Sequence, residues 1–286
     1  MGINGFININ KPKDMTSNRA LQILKRKLSE QNIKEKIGHM GTLDPLATGV
    51  LPVALGRATR LFNYSLDKEK EYVAEFIFGA KSVSLDTDSE VIIDNSINIT
   101  KDQIVSILPT QIGKIKQIPP IFSAKNINGQ RAYDLARKGK EFELPPKEIE
   151  IKSIDLLEET GENTFAFRIV CSGGTYIRSI ARDIAKALGT DGVMSKLTRT
   201  RSGIFNLENS IDIDNCDDIL SNLIPMENLM TNYPKMEINE SIYDDLMNGK
   251  KISLNIDSET CIFLNGKFVG VCDNILGITK VKTWLV

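Results

Sequence analysis

The sequence predicts an α+β protein, and three observations carry that reading. Segments rich in β-branched and aromatic residues, such as 5–10 (GFININ) and 72–79 (YVAEFIFG), read as strands. Between them lie stretches whose apolar residues recur at helical spacing behind capping residues. Beyond about residue 231 the texture changes to short strands around Asn265-Gly266, a type I′ hairpin signal, and residues 231–286 read as a small, mostly β appendage.

Taken in order, the 5–10 strand stops at Lys11-Pro12. Thr16 or Ser17 caps the next helix, in which Ala20, Leu21, Ile23, Leu24 and Leu28 make one apolar side and the other side is basic. Residues 36–62 (KIGHMGTLDPLATGVLPVALGRATRLF) are the stretch around which the chain is organised. They hold the only histidine, His39, and a single acid, Asp44, among Gly38, Gly41, Pro45 and Gly49, residue types that suit sharp turns and close backbone approach. Within this stretch 50–54 reads as a buried strand, and 56–64 as a helical turn carrying Arg57 and Arg60 outward. Thr100 and Gln103 have the spacing of a capping box for a helix over 100–108. Residues 115–146 form a basic, proline-bounded excursion with a short helix at about 131–138, and an irregular excursion of this length belongs at a partner surface. Segments 149–156 and 164–171 read as paired strands, the second running through Ser172-Gly173-Gly174 into a helix over 175–188 that Gly189 ends. A basic strand over 197–205 follows.

A chain of 286 residues with 41% hydrophobic content can bury a real core. No apolar run approaches the roughly 20 residues of a membrane helix, and the first ten residues lack a signal-peptide pattern, so a cytoplasmic protein is expected. Cys171, Cys216, Cys261 and Cys272 are scattered, which suggests neither a zinc site nor a disulfide framework and leaves them as reduced packing residues. The net charge of −1 argues globally against a polyanion partner. Its distribution argues otherwise: residues 1–62 carry ten Lys/Arg against four Asp/Glu, whereas residues 206–260 carry three against twelve. Such segregation builds either a basic face for a polyanion or ordinary solvated helix faces.

One isolated carboxylate limits the chemistry. Paired-acid glycoside hydrolysis needs two, and no second aspartate stands two residues after Asp44, where Leu46 lies. By local pattern alone Asp44 is either a turn-capping side chain or a functional acid. Strand, glycine pair and helix around Ser172 is the geometry of a phosphate cradle, but neither GxGxxG nor GxxxxGK[ST] is present, and a tight turn explains the glycines equally.

The stretch GHMGTLDPLATGVLPVALGRATR closely resembles the signature of the TruB family of tRNA pseudouridine synthases. Further segments match in order: KPKDMTS (11–17), KEYVAEF (70–76), QIPPIFSAKNINGQRAYDLARKGKE (117–141), SGGTYIRSIARDIAKALG (172–189) and LTRTRSGIF (197–205), so that the resemblance spans about residues 3–205. It implies a pseudouridine synthase fold, a central mixed, largely antiparallel sheet with flanking helices, followed by a small C-terminal β domain of PUA-like type, divided at about residues 1–230 and 231–286. It also implies isomerisation of uridine 55 in the T loop of tRNA, with no cofactor and no metal and with the T stem-loop as partner. A monomer is expected, because nothing in the sequence shows an association face. Asp44 matches the catalytic aspartate, Arg178 an arginine that pairs with it, and Tyr72 a tyrosine that stacks on the target base. Tyr176 and Leu197 match residues closing the base pocket. His39 matches the residue that fills the gap left by an extruded base, and Lys11, Arg131 and Lys138 are expected to contact RNA.

Two departures stand out. Asp14 replaces the glycine of the KPxGxTS pattern, and SVSLDTDSE (82–90) keeps Asp86 of the TDTxDxxG run but has Val83 for its first aspartate and lacks its closing glycine. The rival reading is a non-catalytic tRNA-binding or RNA-folding protein on the same scaffold, which would have no need of Asp44, Tyr72 and Arg178 together. A nucleotide-phosphate binder using residues 172–175 is a third.

Overall fold

The structure, a computed structural model, describes residues 2–66, 68–123, 125–127, 129–140, 142–215 and 218–286, apart from the side chains of Leu66 and Arg131. Its centre is a sheet whose strands lie in the order Gly5–Lys11, Thr48–Leu55, Gly192–Ser202, Lys70–Phe78, Thr164–Cys171, Lys147–Gly161 and Gly113–Gln117. Neighbours run antiparallel except at one place, where Thr48–Leu55 and Gly192–Ser202 are parallel. The sheet is therefore mixed and largely antiparallel, as expected. Ile37–His39 adds on to Thr48–Leu55, and Phe205–Asn206 pairs with Gly192–Ser202.

The parallel join is where a glycine is required. Gly49 sits opposite Arg199 at φ 99°, and a Cβ there would lie 2.4 Å from the Arg199 carbonyl oxygen. Any other side chain would push the two strands apart at the centre of the sheet.

Helix Ser17–Glu30 buries Ala20, Ile23, Leu24 and Leu28 and is capped by Thr16, whose hydroxyl accepts from the Arg19 N–H. Arg19, Lys25 and Arg26 stay exposed, as the basic side of the pattern requires. Helix Ile177–Ala187 buries Ile180, Ala181, Ile184 and Ala185, and packs so tightly over Gly192 that a Cβ there would meet the Ala185 methyl at 2.7 Å. Each buried isoleucine or leucine contributes about 1.5–3 kcal/mol, so these apolar faces decide where the helices dock. Phe76 and Phe167 stack at 5.0 Å within the same core. The capping box is present: Thr100 Oγ1 accepts from Gln103 N, and Gln103 Oε1 accepts from Thr100 N, at the head of Lys101–Ile107.

A separate sheet follows at the C-terminal end, in the order Lys235–Ile238, Thr260–Leu264, Lys267–Ile275 and Ile278–Trp284, with helix Glu240–Met247 beside it. Asn265 and Gly266 turn its hairpin with φ of 51° and 71°, the positive pair that a type I′ turn needs. Phe268, Val271 and Leu285 join Phe6, Val50 and Leu61 in one apolar cluster, so this small β domain packs on the main sheet. Arg57 and Arg60 are exposed, but they are not left to solvent. Their guanidinium groups donate to the Leu285 and Trp284 carbonyls at 3.1 and 2.6 Å and fasten the C-terminal strand. Cys171, Cys261 and Cys272 are buried and unpaired in disulfides, whereas Cys216 lies outside the described residues. No helix among the described residues is long and apolar enough to cross a membrane.

Candidate active site

Asp44 sits in the irregular turn between Ile37–His39 and Thr48–Leu55, and the KPKDMTS segment clamps that turn. The Ser17 hydroxyl donates to the Leu43 carbonyl at 2.9 Å and accepts from the Leu43 N–H at 2.8 Å. The Asp14 N–H donates to the Pro45 carbonyl at 2.9 Å. Lys11 donates to the carbonyls of Pro12, Met15 and Pro45 at 2.8, 2.6 and 3.3 Å. Two motifs thirty residues apart in sequence thus form one cradle. Asp14 has φ 62°, the left-handed region that glycine adopts freely and that aspartate tolerates better than most residues, so its replacement of glycine is absorbed by the backbone.

This corrects the expectation for Lys11. The residue is wholly buried, its ammonium is occupied by three carbonyls, and it is not available to an RNA phosphate. Burial lowers its pKa to about 8, with the charge of Asp44 acting in the opposite direction. Lys11 is a fixed cation behind the Asp44 turn.

Arg178, near the start of helix Ile177–Ala187, is 6% exposed and reaches Asp44 with Nη2 to Oδ2 at 3.0 Å. Its Nη1 meets Asp86 Oδ2 at 3.3 Å, and the same guanidinium donates to the Ser84 and Phe122 carbonyls at 2.9 and 3.1 Å. Both terminal nitrogens of the planar fork are engaged, by two carboxylates and two carbonyls, a geometry that lysine could not reproduce. Asp86 is buried and also accepts from the Ser84 hydroxyl and the Asp88 N–H. The Asp44 side chain keeps 35% of its surface accessible, so one side of this paired acid remains open. Burial raises the Asp44 pKa, Arg178 opposes that rise, and Asp86 adds to it.

Tyr72 lies on Lys70–Phe78 directly opposite Arg199, and Leu197 lies opposite Ala74, so tyrosine and leucine share one face of the sheet. Tyr72 is 6% exposed, and burial pushes its phenol up to about 12, with the nearby Arg199 opposing the shift. Tyr176 is half-buried and immediately precedes the Arg178 helix. Its backbone is held on both sides by Gln117, whose Oε1 accepts from the Tyr176 N–H at 2.8 Å and whose Nε2 donates to the Tyr176 carbonyl at 3.1 Å. This clamp keeps Tyr176 extended, and the helix expected from residue 175 starts at Ile177 instead. The Ser172–Thr175 glycines therefore form a turn before the helix, with the Thr175 hydroxyl donating to the Ser172 carbonyl, and do not present a helix N-terminus to a phosphate.

His39 is half-buried on its short strand, and its Nδ1 has no hydrogen-bond partner among the described residues. Burial lowers its pKa, as does the charge of Arg199, which keeps the imidazole neutral at pH 7. Lys138 is exposed just after helix Ala132–Arg137, together with Arg137 and Lys140. The Arg131 side chain lies outside the described residues. The root of this excursion is bonded to the site itself: the Ile118 carbonyl accepts from Ser179 and Arg182, and the Phe122 carbonyl from Arg178. Asp86, Gln117 and Arg199 are the residues that sequence reasoning left without a role. Each stood inside a quoted motif, in SVSLDTDSE, QIPPIF and LTRTR, yet nothing local to those motifs says which distant group it meets. Among the described residues no group of three or more histidine, cysteine or acidic side chains could hold a metal ion.

Comparison with known proteins agrees in sequence and in fold. Residues 25–177 match the model of the TruB family pseudouridylate synthase N-terminal domain. A tRNA pseudouridine synthase B of Francisella philomiragia is 39% identical over 96% of this chain and 92% of its own. Another of the same name, from Alkaliphilus oremlandii, is 37% identical over 94% and 92%. Among solved structures, a chain of a Cbf5-Nop10-Gar1 complex superposes with a TM-score of 0.74 at 26% identity, covering 99% of this chain and 85% of that one.

Proposed function

The chain belongs to the TruB family of pseudouridylate synthases, and we propose that it isomerises the uridine at position 55 in the T loop of tRNA. The observation that supports this reading most is Asp44, an accessible carboxylate held in direction by the buried Arg178 on the sheet face that carries Tyr72. The C1′–N1 bond breaks with its electron pair going to N1. The detached uracil turns, C5 bonds to C1′, and the proton on C5 leaves while N1 gains one. Reactant and product are isomers, so the reaction takes up no atoms and needs no net oxidant or reductant. Asp44 is the anion that meets C1′ as the positive charge develops there, and Arg178 favours that ionised form against the effect of burial and aims it. Tyr72, Tyr176 and Leu197 line the base pocket. An aromatic face holds a free uracil in either orientation.

A uridine within the folded T arm must first be extruded, which costs a few kcal/mol of stacking. His39, neutral at pH 7, is the side chain suited to fill the space left behind. Lys138 and the exposed cations of helix Ser17–Glu30 serve the phosphates, with Arg131 as a further contact. On this reading residues 1–230 are the catalytic part and residues 231–286 a PUA-like β domain, and the protein acts in the cytoplasm as a monomer. The test is tritium release from a tRNA transcript carrying 5-tritiated uridine, since replacing the C5–H bond by C5–C1′ sends that hydrogen to water. Release by the native protein and none by Asp44→Ala is the expected result. No release by the native protein would leave the tRNA-binding alternative, and undiminished release by the variant would clear Asp44 of its role.

A further inference from the structure

Arg199 is the largest fully buried side chain of the described residues, at 1% exposure, and it stands in no ion pair with a carboxylate among them. Removing a guanidinium from water is costly, and carbonyl contacts offset this only in part. An apolar side chain of similar size would fill the space at lower cost, so the charge has work other than packing. Its partners indicate what that work is. Nε donates to the Val50 carbonyl at 2.7 Å and Nη2 to the Gly41 carbonyl at 3.1 Å, and Nη1 lies over Gly41, 3.5 Å from where a Cβ would stand. Gly41 lies between His39 and Asp44 in the chain. In the sheet, Gly49, Arg199, Tyr72 and Ile169 form one row across four strands, so Arg199 stands beside Tyr72 as its cross-strand partner.

We propose that Arg199 is a positioning residue for the isomerisation: its buried guanidinium ties the His39–Asp44 turn to Tyr72, so that the acid and the base-stacking ring hold a fixed separation. The idea rests on the function proposed above. Through the Gly41 carbonyl Arg199 sets where the Asp44 turn leaves the sheet, and as the residue directly opposite Tyr72 on the neighbouring strand it fixes where that ring stands. Arg178 aims the carboxylate from the helix side, and Arg199 fixes the other side of the same pocket from within the sheet. Neither its exposure nor its partners leave it free to touch RNA.

Arg199→Lys keeps the charge but has one nitrogen where two are bonded, and so cannot serve Gly41 and Val50 together while filling the place beside Tyr72. With tRNA under saturating conditions, kcat is expected to fall on the order of 100-fold, as for a displacement of about 1 Å at a reacting site, with KM and the melting temperature little changed. A ¹³Cζ-tyrosine NMR spectrum of the free protein, with the Tyr72 resonance assigned by its loss in Tyr72→Phe, should show that resonance shifted in Arg199→Lys. A purely structural role would lower the melting temperature without moving kcat. An unchanged kcat, an unmoved Tyr72 resonance, or a lysine variant that no longer folds would each overturn the proposal. A native protein that releases no tritium would refute the proposed function instead, and the two failures are thereby distinguished.

Discussion

Replacing Arg178 by methionine removes one cation from a site that contains two carboxylates. Asp86 has 4% of its side chain exposed, so in Arg178→Met it becomes a buried charge without its counter-ion. Breaking a buried pair from one side costs about 3–5 kcal/mol. The Ser84 hydroxyl and Asp88 N–H still donate to Asp86, which places the cost near 3 kcal/mol. The carbonyls of Ser84 and Phe122 also lose their donor. Asp44 contributes less, because 35% of its side chain meets solvent. Against a total stability of roughly 5–15 kcal/mol such a loss is readily measured by urea unfolding at pH 7. The decisive comparison is Arg178→Met with Asp86→Asn added, which removes the stranded charge while retaining the shape of the side chain. The double variant should recover most of the lost stability and none of the activity, since Asp44 still lacks its partner. If the single variant lies within about 1 kcal/mol of the native protein, or the double variant is no more stable than the single, the pair is not the buried, mutually dependent unit described here.

Two further outcomes follow from the charges around Asp44. Its carboxyl is raised by burial, so the ionised form is lost as pH falls through a value above the ordinary aspartate range, and the acid limb of kcat should lie correspondingly high. The same shift means that the folded state disfavours the anion, so Asp44→Asn should unfold at higher urea than the native protein at pH 7, with the advantage shrinking in acid; a limb at the ordinary aspartate value would contradict both. Lys11, lowered from 10.5 to about 8, binds its proton less tightly folded than unfolded, so native stability should rise relative to Lys11→Met as pH climbs from about 8 to 10.5. A stability difference that stays flat across that interval would show that the ammonium is not buried as described.

Much of the fold was legible because its signals are local. The 3.6-residue spacing in helix Ser17–Glu30, the Thr100–Gln103 box and the Asn265-Gly266 turn each depend on residues a few positions apart, and all three are present as read. The motif resemblance likewise marked Asp44 and Arg178, which the structure joins at 3.0 Å. Lys11 departs from its expectation for a reason that is equally physical. A lysine at the end of a strand in a basic stretch has the pattern of a phosphate contact, and only the closing of Pro12, Met15 and Pro45 around it turns it into a buried anchor. Arg57 and Arg60 read as outward cations, and the C-terminal strand that they hold is more than two hundred residues away.

Which segments become strands, helices and turns could be read along the chain, as could the motif that singles out Asp44 for the proposed chemistry, because periodicity, caps and motif residues are properties of neighbours in sequence. How the charges divide their work emerges only when distant strands and helices meet. Placing Gly192–Ser202 between Thr48–Leu55 and Lys70–Phe78 sets Arg199 beside Gly49 and Tyr72, and docking Ile177–Ala187 on that sheet brings Arg178 between Asp44 and Asp86. A cation that meets water, a carbonyl or a carboxylate is the same residue in sequence. Its burial and its partners, which set its energy and its role, exist only once distant strands have met.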